Sequence, residues 1–110
     1  MTNNFLPPDA VPFSNAYVVD ITPELAKSWR NAGKSDRSVS EYRVRKFAKQ
    51  MEAGQWYPNH NGIAFAEDGT LLDGLHRLHA IVRSGKTVPM IVVVNEPLKN
   101  ASVIDNRNND

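Results

Sequence analysis

Leu71-Leu72-Asp73-Gly74-Leu75-His76-Arg77-Leu78-His79-Ala80-Ile81 decides how this chain is read. It reads as a strand that breaks at Asp-Gly and at once starts a helix carrying His and Arg. A helix start presents unpaired backbone N–H groups and the positive end of the helix dipole, so an anion fits in front of it. Gly74 has no Cβ to hold a ligand away from the backbone, and Asp73 is a residue type that caps a first turn. Arg77, and His76 if protonated, can add charge-assisted hydrogen bonds to phosphate oxygens. The same residues also suit an ordinary turn followed by a helix whose first-turn Arg and His are solvated.

Outward from this box the chain alternates. Before it, Ile63-Ala64-Phe65-Ala66 and Thr70-Leu71-Leu72 flank Glu67-Asp68-Gly69, a turn sequence suited to a short hairpin. After it, a helix from about Leu75 to Ser84 buries Leu78, Ile81 and Val82 and stops at Gly85. Val88 to Asn95 is nearly all apolar, as expected of a strand covered on both faces.

Further upstream, Ser38-Val39-Ser40-Glu41 has capping-box spacing, and Val44, Phe47, Ala48 and Met51 follow at i, i+3, i+4 and i+7. That predicts an amphipathic helix ending near Gly54. Its Arg43, Arg45, Lys46 and Lys49 form a basic run, read as a solvated outer face diluted by Glu41 and Glu52, with a nucleic-acid surface as the alternative. Trp56 and Tyr57 are expected at the core edge, and His60 in a loop. Ala16 to Ile21 has the content of a strand, and Thr22-Pro23-Glu24 supplies an N-cap with Pro at the first helical position of a helix running to about Asn31. Gly33 to Arg37 is a polar loop. Residues 1–14, rich in Pro, Asn and Asp, read as an arm, and residues 15–110 as one domain.

Helices and strands thus alternate in a mixed α/β domain, and composition fits a small intracellular one. At 110 residues one core is sizeable without staples, and the absence of Cys permits neither disulfides nor a thiolate metal site. A formal charge of +1 gives no sign of a general polyanion binder. The longest apolar run, Val88 to Val94, is too short to span a bilayer, and no signal-peptide pattern opens the chain, so a soluble cytoplasmic protein is expected.

The Asp73-Gly74-Leu75-His76-Arg77 box resembles the signature of the ParB/sulfiredoxin superfamily, whose members hold nucleotide phosphates on a Gly-x-[His or Arg]-Arg sequence between a strand and a helix. Asp20-Ile21-Thr22-Pro23-Glu24, Asp36-Arg37-Ser38-Val39-Ser40 and Met51-Glu52-Ala53-Gly54-Gln55-Trp56 extend the resemblance, over residues 16 to 107, to ParB-like domains of phages and mobile elements. The resemblance implies a single α/β (α+β) domain with a small mixed sheet flanked by helices, in a bacterial host cell. It implies a nucleotide ligand, CTP or ATP/ADP with Mg²⁺, held by Asp73, Gly74, Leu75, His76 and Arg77. Arg37 resembles the first Arg box of the superfamily, near the nucleotide; otherwise it is a loop Arg beside a surface carboxylate. Asp20 and Glu24 border the same predicted sheet edge, where one could act as a base or hold Mg²⁺.

Departures from the family narrow the activities. Sulfiredoxins carry Cys where this chain has Leu75, so their sulfur chemistry has no nucleophile here. The helix-turn-helix and dimerisation segments of chromosome-partitioning ParB proteins do not fit in this length, and the ending Val103-Ile104-Asp105-Asn106-Arg107 resembles a point where longer relatives continue. Asp73, His76 and His79 could in principle ligate a metal, but i+6 turns the last away from the first, so no metal site is expected.

The first expectation is therefore a nucleotide-binding domain, with NTPase or kinase activity open. The second is a small phage or plasmid regulator that binds a host protein or DNA, and nuclease activity ranks third for want of a compact acidic cluster. On the first, Arg77→Ala is expected to weaken nucleotide affinity with little effect on melting. Arg83, on the same helix, is expected to point to solvent or complement the helix C-terminus.

Overall fold

In the computed structural model, residues 7–9, 15–32 and 38–97 are described. The first described strand, β1 (Ala16–Ile21), turns into α1 (Pro23–Ala32) through Thr22, whose hydroxyl accepts the Leu25 N–H at 3.1 Å. Then come α2 (Glu41–Glu52), β2 (Ile63–Ala66), β3 (Leu71–Asp73), α3 (Leu75–Ser84) and β4 (Val88–Glu96). Most of the expected arm, the Gly33 to Arg37 loop and the Val103 to Arg107 ending lie outside the described residues.

The four strands form one mixed sheet in the order β1-β4-β2-β3. β4 pairs antiparallel with β1 and parallel with β2, while β2 and β3 make the expected hairpin. Its turn is fixed locally: Gly69 has φ +90°, and the Asp68 carboxylate accepts the Thr70 N–H at 3.0 Å. The register places Ile21 opposite Val88 and Ile63 opposite Val92, so these side chains share one face. On that face they join Ala26 of α1, Val44, Ala48 and Met51 of α2, and Leu75, Leu78 and Ile81 of α3 in a single core. α3 sits centrally among the helices and packs against both α1 and α2.

The expectation that β4 is covered on both faces needs correction. Val88, Met90 and Val92 are buried, whereas Pro89, Ile91 and Val93 are half-buried, because the helices pack against one side of the sheet. The capping box also shifts by two residues. α2 is capped by Ser40, not Ser38, with its hydroxyl accepting the Arg43 N–H at 3.3 Å. No helix among the described residues is long and apolar enough to cross a membrane.

Candidate functional site

The strand-to-helix junction lies where the sequence puts it, between β3 and α3, but its residues face inward. Gly74 occupies the N-cap of α3 at φ +101°. A Cβ there would stand 2.5 Å from Ile63 Cδ1 and 2.9 Å from the Gly62 carbonyl oxygen, so the close approach that needs glycine is to β2. Leu75 joins the core.

His76 is buried, and its Nε2 accepts the Ser40 N–H at 2.8 Å. As an acceptor at Nε2 the ring carries its proton on Nδ1. This bond explains the displaced cap. In a capping box the third helical residue reaches back to the N-cap N–H; here His76, from α3, takes that N–H instead. Glu41 is thereby left to pair with Arg83, which donates to both carboxylate oxygens at 2.7 and 2.9 Å.

Arg77 is 2% exposed. Its guanidinium donates to the Gly62 carbonyl at 2.8 Å, stands 3.8 Å from an Asp73 carboxylate oxygen, and lies 6.0 Å from the centroid of the Phe47 ring. The Gly62 carbonyl comes this close because Gly62 itself is pressed against β4: a Cβ on it would overlap the Ile91 carbonyl oxygen.

Arg77 also lines a cleft of about 410 Å³ between α2 and the segment that leads into β2. Phe47 and Trp56 form an aromatic wall, edge to face with centroids 5.6 Å apart, and the remaining lining is Gln50, Gln55, Tyr57, Asn59 and Asn61. Among the described residues of that lining, Arg77 is the sole charged one. The segment is braced by Asn59, whose side chain donates to the Tyr57 carbonyl at 2.9 Å and accepts the Asn61 N–H at 2.7 Å. The cleft thus brings a guanidinium, hydrogen-bonding carboxamides and aromatic surface together.

Protein-family models, curated proteins and solved structures yield no match to this chain.

The structure separates the other expected site residues. Of the box, Arg77 lines the cleft while Asp73 stands behind it as the guanidinium's partner. Asp20 and Glu24 are exposed at the end of β1 and the start of α1. β1 and β3 run in the same direction at opposite sheet edges, so Asp20 stands three strand spacings, about 14 Å, from the β3 end. Arg37 lies outside the described residues. His76 and His79 diverge, His76 to α2 and His79 to α1, where Arg30 donates to its Nδ1 at 3.4 Å. Burial first, then the Arg30 charge and His76, hold the His79 pKa below its usual value, against an opposing pull from Glu41. Among the described residues no group of three His, Asp or Glu side chains is placed to hold a metal ion.

Sequence reading missed the cleft wall. Gln55, Trp56, Tyr57, Asn59 and Asn61 are legible as a run of carboxamides and aromatics without Asp, Glu, Lys or Arg, in a chain where charged residues are 23% of the total. Nothing local ties that run to Arg77.

Proposed function

We propose that this chain is a nucleotide-binding domain of the ParB/sulfiredoxin type that takes the ligand's phosphate on Arg77 in the cleft walled by Phe47, Trp56 and Tyr57. One observation carries the reading: a buried guanidinium, reached from a cleft whose other described lining residues are uncharged. A guanidinium in such a low-dielectric setting binds an anion more strongly than one in water. Asp73 offsets part of that charge and also orients it. The mixed sheet with Gly-x-His-Arg at a strand-to-helix junction supports the family, and the cleft's volume lies within the ~300–1,000 Å³ common for small-ligand sites.

Tyr57, at 71% exposed, offers a ring at the rim on which a base can stack. Mg²⁺ fits this picture as a companion of the nucleotide, coordinated by phosphate oxygens and water as that ion usually is at such sites. This places the phosphate on a side chain instead of on the N–H groups of α3, whose first turn is buried.

Calorimetry against CTP, ATP, GTP and ADP, each with Mg²⁺, tests the proposal. We expect binding of at least one, a rise in melting temperature in its presence, and a loss of about tenfold in affinity in Tyr57→Ala, whose exposed ring the fold does not need. Silence with all four nucleotides at millimolar concentration overturns it.

A further inference from the structure

The exposed side of α2 carries a second constellation, distinct from the cleft. Tyr42, Arg45, Lys46 and Lys49 stand at i, i+3, i+4 and i+7, which puts them within an arc of about 100° along roughly 10 Å of helix. Together they line a shallow groove of about 280 Å³. Tyr42 is 66% exposed, although tyrosine gains by burying its ring.

In sequence this run looks diluted by Glu41 and Glu52. The fold engages one of these two carboxylates elsewhere. Glu41 turns to Arg83 of α3, engaged through both oxygens. Glu52, just beyond Lys49 on the helix, lines a neighbouring groove together with Arg45, Ala48, Lys49 and Arg83. Among the described residues, none of Arg45, Lys46 and Lys49 is within ion-pair distance of a carboxylate. Arg43 is half-buried and sits off the arc. Three cations without an ion-pair contact among the described residues thus share one face of a chain whose formal net charge is only +1.

We propose that this face of α2 binds single-stranded nucleic acid, with Arg45, Lys46 and Lys49 on successive phosphates and Tyr42 stacked on an unpaired base. Charge complementarity selects a polyanion. The exposed ring selects a single strand, since only an unpaired base offers its face to an aromatic side chain. An anionic membrane is the weaker fit, because the stripe presents no aliphatic side chain to insert between lipids.

Fluorescence anisotropy of a labelled twenty-nucleotide oligo-dT with the full chain tests the assignment. Three phosphate contacts on a single strand imply that affinity falls about twentyfold between 50 and 200 mM salt. Combined Arg45→Glu, Lys46→Glu and Lys49→Glu should abolish binding, and Tyr42→Ala should weaken it about tenfold while leaving the salt dependence in place. Lys86→Glu, an exposed charge reversal away from the stripe, should change affinity no more than about threefold. The proposal fails if binding is absent or insensitive to salt. It also fails if a duplex of equal length binds as tightly and Tyr42→Ala has no effect, or if the chain co-sediments with phosphatidylserine vesicles but ignores the oligonucleotide.

Discussion

Arg77 shows how far a single side chain can depart from its local prospects. A first-turn Arg on a helix usually extends into water, yet this one is held by the Gly62 carbonyl, the Asp73 carboxylate and the Phe47 ring. The expectation that Arg77→Ala spares melting behaviour therefore needs revision. Truncation removes a charge-assisted hydrogen bond, leaves the Gly62 carbonyl without that donor, and opens a void beside Phe47. We expect a cost on the order of 2 to 4 kcal/mol. Arg83→Ala, at an exposed pair with Glu41, should cost about 1 kcal/mol or less. Urea unfolding followed by tryptophan fluorescence separates the two; equal losses would show that the burial of Arg77 contributes nothing. Because the same residue lines the cleft, Arg77 variants confound binding with stability, which is why the ligand test rests on Tyr57.

Between elements, α3 acts as the common partner. Through His76 it supplies the acceptor that completes the N-cap of α2, and through His79 it meets Arg30 of α1. The second contact carries a pH dependence. Burial and the Arg30 charge hold the His79 pKa in the folded state below the unfolded value of about 6.5. The unfolded chain therefore binds the proton first. The contribution from His79 is fully present above that value and declines as pH falls towards the folded pKa. Thermal melts should thus lose stability between pH 7.5 and pH 5.5, and His79→Gln should lessen that slope. A slope unchanged in His79→Gln would assign the acid sensitivity to other groups.

For the molecule as a whole, the strand order governs which residues can cooperate. β1 and β3 lie on opposite edges of the sheet with β4 and β2 between them. Asp20 is therefore remote from the β3–α3 junction, and neither it nor Glu24 lines the cleft. Asp20→Asn and Glu24→Gln should leave nucleotide affinity within about a factor of two, measured by the same calorimetry. A large loss in either would mean that the ligand reaches across the sheet, and the cleft reading would have to be redrawn. α2 is the element shared by the two proposed surfaces, with Phe47 and Gln50 facing the cleft and Tyr42, Arg45, Lys46 and Lys49 facing solvent.

What the sequence determined by itself is the set of elements whose signals lie within a few residues. Thr22 before Pro23, the Asp68-Gly69 turn, the Val44-Ala48-Met51 stripe and Gly85 after α3 each act through bonds or packing inside one or two turns of chain. They appear where periodicity and capping place them. The tertiary structure alone decided the strand order, the one-sided cover of β4, the move of the α2 cap to Ser40 and the inward turn of Arg77. Each depends on contacts between residues far apart in the chain: His76 to Ser40 spans 36 positions and Arg77 to Gly62 spans 15. A side chain's neighbours at that range are set by how the helices and sheet pack to bury their apolar faces, so its charge and hydrogen-bonding capacity are assigned only after the core has formed.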